Sequence, residues 1–345
     1  MTIKEISAII GISPGTIDRV IHNRGRVSEQ TKQYVLNALE QHNYKPNQSG
    51  KRLAAIAHPK RIAIVLEEDL KSPHNIKIWT GLRSMYPSLK ELGAEIVEFS
   101  FLRKFKDADE VPLFLKKLNE AIDWKADLII ILSPLNHKIS QLLKHFTESG
   151  GVVVTLSTDI PDCGRHFFAG HDNYLSARTA MQLMDFSLAG RGKLLLLVGL
   201  LSELTHKQRL QGVLDYVKEN NSNIEVIKIN WEDSTEENIL KIFETEDISG
   251  VLILSPKVDL VIEALKSQQR GDRKKLAAFD LTPHNIEYLK NGTLDFIIDQ
   301  QTVAQGKKAA NYAKEYILQN NTENDTWFSP CQIVVKENLK QHIDS

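Results

Sequence analysis

From Arg61 onward the chain alternates short apolar runs with amphipathic stretches, and this alternation restricts its fold more than any other feature. The runs are Ile62–Leu66, Leu128–Leu132, Val152–Leu156, Leu194–Val198, Val251–Leu254 and Phe296–Ile298. Each is too short for a helix and apolar at successive positions, the pattern of a strand buried on both faces. Helical periodicity fills the gaps at 79–92, 111–122 and 205–219. Strands alternating with helices predict a parallel sheet covered on both faces, and here the plan occurs twice. The expected fold class is therefore α/β, with two lobes and ligands beyond the carboxyl ends of the strands.

At 345 residues the chain exceeds one ordinary domain and suits a small domain joined to a two-lobed one. No run of about 18 apolar residues occurs, so no membrane-spanning segment is expected. The start, MTIKEISAII, carries Glu5 and no uninterrupted apolar core, which argues against a signal peptide. Cys163 and Cys331 form no CxxC pair, so neither a metal site nor a redox motif is expected. Together these features predict a cytoplasmic protein.

The net charge of −1 conceals an asymmetry. Residues 1–58 hold eight Lys or Arg against four Asp or Glu, leaving the rest of the chain with a net excess of acids. A basic head on an acidic body suits a protein that holds DNA at one end. Within that head, Gly11-Ile12-Ser13-Pro14-Gly15 satisfies G-x-S-x-G, the string of a hydrolase nucleophile elbow. The elbow requires a strand before the serine and a helix after it. Here Thr2-Ile3-Lys4-Glu5 reads as a capping box, and Ile3, Ile6, Ile9 and Ile10 recur at helical spacing up to Gly11. Ser13 before Pro14 is an N-cap serine with an N1 proline, opening a second helix that buries Ile17, Val20 and Ile21. Ser28 caps a third helix with Val35, Ala38 and Leu39 inside. Ser13 thus follows a helix and serves as a cap, and the segment reads as a helix-turn-helix unit.

The run from Thr2 to Asn47 resembles the head of the LacI/GalR family of bacterial transcription regulators. The resemblance runs through the Gly11-Ile12-Ser13 turn, the helix Thr16-Ile17-Asp18-Arg19-Val20, the stretch Asn23–Ser28 and Tyr44-Lys45-Pro46-Asn47. It implies that Pro14, Gly15 and Arg19 face base edges, and that Ser13, Thr16, Asn23 and Arg26 hold phosphates, with Asn47 also at the DNA. Pro14 and Gly15 offer almost no side-chain hydrogen bonding, so readout would rest on Arg19, whose best target is the O6/N7 pair of guanine. Asp18 stands where the family commonly has serine; it either accepts from a cytosine or orients Arg19 or His22.

The predicted division is 1–45 for the head, 46–58 for a hinge segment and 59–345 for the body. Gly50 weakens a helix over PNQSGKRLAAIAH, so this segment is expected to fray when free. The resemblance implies a hinge helix formed on DNA with Leu53 as a minor-groove wedge; alternatively Leu53 packs on the body. For the body it implies a periplasmic-sugar-binding-protein fold that closes on an effector, with Asp172, Arg209, Asp280 and Gln300 at matching strand-end positions. Asp280 could equally be a helix cap and Arg209 a surface ion pair. Trp79 and Trp231 either stack on a sugar face or pack internally. Asn75, Ser133 and Ser255 are further strand-end candidates, and His171, His206 and His284 lie nearby without an assigned role.

No G-x-G-x-x-G follows a strand, Leu194 stands where a P-loop after Gly190-Arg191-Gly192-Lys193 needs Ser or Thr, and no HExxH occurs. No catalytic residue, metal or cofactor is therefore assigned. The expected partners are pseudo-palindromic operator DNA, a sugar-like effector and a second copy of the chain, with no membrane. The expected function is a regulator, in the family most often a repressor. The alternatives are a solute receptor without a regulatory role and a DNA-binding regulator with a non-sugar effector or none.

Overall fold

The computed structural model describes residues 2–21, 25, 27–42, 44, 48–69, 72–102, 111–201, 203–267 and 273–343. Asn23, Arg26 and Asn47, expected at DNA, lie outside the described residues.

The head consists of α1 (Ile3–Ile10), α2 (Pro14–Ile21) and α3 (Glu29–Gln41). Thr2 and Glu5 form the capping box: Thr2 Oγ1 accepts from the Glu5 amide and the Glu5 carboxylate from the Thr2 amide. Gly11 ends α1 at φ 70°, a left-handed conformation that glycine enters without a Cβ penalty, and its N–H closes on Ser7 O. Ile6, Ile17, Val20 and Val35 meet at the centre of the three helices.

Next comes α4 (Gln48–Ala57), over the segment expected to fray. It is helical because it leans on the body: Ala55 is buried in a body core cluster, and Arg52 pairs with Glu91 at 3.2 Å. Tertiary contact offsets the weak local propensity. Leu53, however, is 69% exposed, so it does not pack on the body.

The first lobe runs β1 (Arg61–Val65), α5 (Pro73–Ser84), α6 (Tyr86–Lys90), β2 (Glu95–Glu98), α7 (Val111–Asp123), β3 (Leu128–Ile131), α8 (His137–Glu148), β4 (Val152–Ser157) and β5 (Phe167–His171). The second runs α9 (Asn173–Ser187), β6 (Arg191–Leu197), α10 (Leu204–Glu219), β7 (Asn223–Ile229), α11 (Glu236–Thr245), β8 (Ile248–Ile253), α12 (Val258–Ser267), β9 (Lys275–Phe279), α13 (Pro283–Lys290) and β10 (Phe296–Asp299). The chain then returns through α14 (Thr302–Gln319) and β11 (Asp325–Ser329) to the first lobe, and through β12 (Gln332–Val334) and α15 (Lys340–Ile343) to the second.

Among the described residues the strands make two six-stranded sheets, ordered β11-β5-β4-β3-β1-β2 and β12-β10-β9-β8-β6-β7. Among the described residues every pairing of these strands is parallel except β10 with β12. Apolar side chains on both faces of each sheet explain the unbroken runs: Ile62 and Ile64 point into one cluster, Ala63 and Val65 into the other. The chain passes between lobes at 171–173, 299–302 and 329–332.

At one place backbone meets backbone. Helices α5 and α14 cross at Gly81 and Gly306, and a Cβ at Gly306 would stand 2.5 Å from Ile78 O. Phe167 on β5 stacks on Tyr312 of α14 at 4.6 Å, closing the same core.

Candidate functional site

On the head, Ser13 Oγ accepts from the Thr16 amide at 3.2 Å and shares a hydrogen bond with Thr16 Oγ1 at 2.9 Å. This is a helix cap following a helix, which disposes of the hydrolase reading. Because Ile17 and Val20 turn inward, α2 presents Pro14, Gly15 and Arg19 to solvent on its outer side. That face, with its lone cation, is open for a groove.

In the body, the strand ends of both sheets converge. β9 delivers Asp280 at φ 72°, where its amide bonds to Ile298 O and its carbonyl takes Asn285 Nδ2. Gln300, just past β10, donates from Nε2 to the Asp280 carboxylate at 2.5 Å. Arg209 comes from α10 and is only 4% exposed; its Nε donates to Asn173 Oδ1 at 2.9 Å and its Nη1 to Leu254 O at 3.2 Å. The guanidinium lies 4.1 Å over the Phe279 ring, so it is neither a surface ion pair nor a solvated charge. Asp280 is no helix cap either, since Thr282 caps α13.

From the first lobe, α5 contributes Asn75, His74 and Lys77. His74 Nε2 pairs with Ser157 Oγ at 2.9 Å, and Lys77 Nζ reaches across to Leu281 O of the second lobe at 2.9 Å. Asp172 sits at the crossing, with one carboxylate oxygen committed to capping α9 through the Leu175 amide. A cavity of about 770 Å³ opens between the ends of β4 and β5 and the starts of α9 and α10; of the expected effector residues Asp172 is in its wall, whereas Asn75, Arg209, Asp280 and Gln300 are not. Asp159, Phe168, His171, Asp172, Gln208 and Phe328 are among its walls.

The structure thus brings Asp172, Arg209, Asp280 and Gln300 to one region, with Asn75 on the facing helix. The two tryptophans fare differently. Trp79 is 4% exposed inside the first lobe's core, its indole N–H given to Glu67 O, so it packs internally and offers no face to a sugar. Trp231 is half-buried, and the Lys257 ammonium lies 4.0 Å over one face of its ring. The first lies one helical turn too deep, and the second belongs to the loop after an edge strand, β7.

Three histidines surround this region, although sequence left two unassigned and overlooked His74. Burial pushes His171 and His206 down to about 4 each, and the Arg209 charge adds to both. His74 is lowered as well, chiefly by burial. All three sense Arg209 and Asp280, yet they come from α5, β5 and α10, so no sequence motif joins them. Folded-state values below the ordinary 6.5 mean that the unfolded chain binds more protons between about pH 6.5 and 4, and stability falls as pH drops through that window. For His171 alone the loss approaches about 3 kcal/mol at the acid end. Urea unfolding at pH 7 and pH 4.5 measures it; equal midpoints would mean that these imidazoles take up protons freely in the fold.

Among the described residues no group of three or more His, Cys, Asp or Glu could hold a metal ion, and no helix is long and apolar enough to cross a membrane.

The structure thus joins a three-helix head to a two-lobed α/β body with a cavity where the lobes meet. Residues 82–321 match the periplasmic binding protein domain model, and residues 2–47 match that of bacterial regulatory proteins, lacI family. The chain belongs to the periplasmic binding protein domain family, and its head carries a lacI-family match. It is 36% identical over 69 residues to the HTH-type transcriptional regulator MalR of Streptococcus pneumoniae, covering 20% of this chain and 21% of that one. It is 26% identical over 142 residues to the HTH-type transcriptional regulator TreR of Salmonella typhimurium, covering 38% of this chain and 45% of the relative. The chain therefore matches less than half the length of either. In fold it is similar to GanP, a glucose-galactose binding protein from Geobacillus stearothermophilus, at a TM-score of 0.69 and 20% identity, covering 82% of this chain and 99% of that one.

Proposed function

We propose that the chain is a sequence-specific transcriptional regulator, a repressor, whose hold on operator DNA is set by a sugar-like molecule bound between the two lobes. The observation that carries this reading is the joining, in one chain, of an open α2 face bearing Arg19 to a body whose lobes meet at Arg209 bonded to Asn173, Gln300 bonded to Asp280, and a cavity walled in part by Asp172. Hydroxyl groups both donate and accept, so charge-assisted bonds from an arginine and an aspartate fix them well. The relatives named as transcriptional regulators and the glucose-galactose binding protein support the two halves separately. The reading divides the chain at 1–45, 46–58 and 59–345 and assigns it no reaction. It also places two copies on a pseudo-palindromic site, with Leu53 of α4 as the exposed apolar side chain nearest a minor groove.

Thermal unfolding of the full chain against sugars, sugar phosphates and polyols tests the body. A ligand at about a hundred times its dissociation constant adds about 2.7 kcal/mol. The same ligand must then change the affinity for DNA selected from a random pool; a ligand that stabilises the chain without touching DNA binding would make it a receptor instead. For the head, Arg19→Ala is expected to lose about 1–3 kcal/mol on the selected site and little on random DNA. Equal losses on both would reduce Arg19 to a phosphate contact.

A further inference from the structure

One ring nitrogen beside the 770 Å³ cavity lacks a partner among the described residues: Nε2 of His171. The side chain is 3% exposed and lines the cavity, so the nitrogen is neither solvated nor bonded. Its protonation follows from its neighbours. Ser329 Oγ donates its single hydrogen to Gln300 O at 2.7 Å, a bond that can run in one direction only, because a carbonyl accepts. The 3.0 Å contact between Ser329 Oγ and His171 Nδ1 must then be donated by the imidazole. With Nδ1 carrying the proton, Nε2 presents a lone pair. A buried acceptor left unmade is costly, so a shift of the ring or of the lobes that opens Nε2 to the cavity would let a ligand donor fill it.

The walls of the cavity restrict that ligand. Arg165 is bound through Nε and Nη2 to the Asp159 carboxylate and through Nη2 to Thr326 Oγ1, so its charge is neutralised within the protein. Asp172 adds a second acid. The cavity therefore offers an anion no unpaired cation among its described walls. Phe168 and Phe328 stand edge to face at 5.8 Å on the other side, and Phe328 is 49% exposed, an apolar surface of the kind that meets the C–H face of a sugar ring.

We infer that His171 reads a hydroxyl of an uncharged sugar or polyol, Nε2 accepting its proton while Nδ1 passes the contact to the hinge. His171 closes the first crossing, Gln300 lies in the second and Ser329 opens the third, so one chain of hydrogen bonds ties the ligand contact to every strand that joins the lobes. Binding is thereby coupled to lobe geometry through a specificity-determining residue that α10 and β9 do not supply. The inference rests on the sensing reading above and deepens it.

Two variants of the full chain separate the two nitrogens. His171→Asn keeps an amide near Nδ1 for Ser329 but has nothing at Nε2; His171→Gln does the reverse. Calorimetric titration uses D-glucose, D-ribose, trehalose, maltose and D-glucose 6-phosphate as probes. With the probe that binds the parent, His171→Asn is expected to weaken binding tenfold or more. His171→Gln is expected to stay within about threefold while losing the ligand's effect on DNA affinity. Binding by His171→Asn within twofold of the parent would overturn the inference and leave the sensing reading intact, as would tighter binding of the phosphate than of glucose. A parent that binds no probe would overturn both. Long-range proton–nitrogen spectra of the unmutated, histidine-labelled chain give a reading that does not depend on either variant folding. The Nδ1–H tautomer is expected for His171, and an Nε2–H tautomer would overturn the assignment.

Discussion

Gly81→Val lowers the unfolding free energy of the chain by about 3 kcal/mol or more. At the crossing of α5 and α14 a Cβ on residue 81 would collide with the Val303 carbonyl oxygen and stand 3.0 Å from the Lys307 amide nitrogen. These are backbone atoms, and no side-chain rotation relieves the contact. The helices must move apart, and in doing so they loosen the cluster that holds Ile78, Leu82, Ala309 and Ala313. Urea denaturation of the full chain reads the effect, with Gly15→Ala as the companion, because nothing lies within 4 Å of a Cβ there. A loss below about 1 kcal/mol for Gly81→Val would show that the two helices do not approach as described.

Arg209→Met is expected to reduce sugar affinity about a hundredfold, or roughly 2.7 kcal/mol. Methionine preserves the apolar stem over Phe279 but removes the donors to Asn173 Oδ1 and Leu254 O. Some folding stability goes with them, about 1–3 kcal/mol for acceptors left buried. Selected-site DNA binding in the absence of sugar should survive, since the head has its own small core. Titration of the variant with the sugar that stabilises the parent decides the matter. Unchanged affinity would make the guanidinium a structural brace between α9, α10 and the end of β8 and not a sugar contact.

Much of this was legible in the sequence, and what was not has particular causes. Apolar runs marked β1, β3, β4, β6, β8 and β10, because strands covered on both faces are almost wholly apolar; the buried Thr155 of β4 is satisfied by Asp159. Strands β2, β7 and β11 escaped. EIVE and NIEVIKI mix charge into their pattern, since an edge strand is covered less completely, and β11 is a late return that no local signal connects to β5. The caps at Thr2, Ser13 and Ser28 were visible because capping is local chemistry. The resemblance to the family pointed to Arg209, Asp280 and Gln300; Asp280 and Gln300 follow β9 and β10, whereas Arg209 lies within α10. The histidines were not assignable: a neighbour 158 residues away fixes which His171 nitrogen holds the proton, and no spacing rule carries that information. Trp79 and Trp231 show the converse, residues of the right type whose surroundings withdraw them.

The threading of the chain also sets an order of events during synthesis. The first lobe's sheet is completed by β11 and one of its faces by α14, both made after all of the second lobe except β12 and α15. A nascent chain that has emerged only as far as β5 carries Ile78, Leu82, Phe167 and Ala169 without the helix that shelters them. Until about 150 further residues appear, that face is open to chaperones or to a neighbouring nascent chain. The lobe that begins first must wait for five strands of the other, β6 to β10, so translation arrested between α9 and β10 should leave an aggregation-prone fragment, whereas arrest after β11 should not.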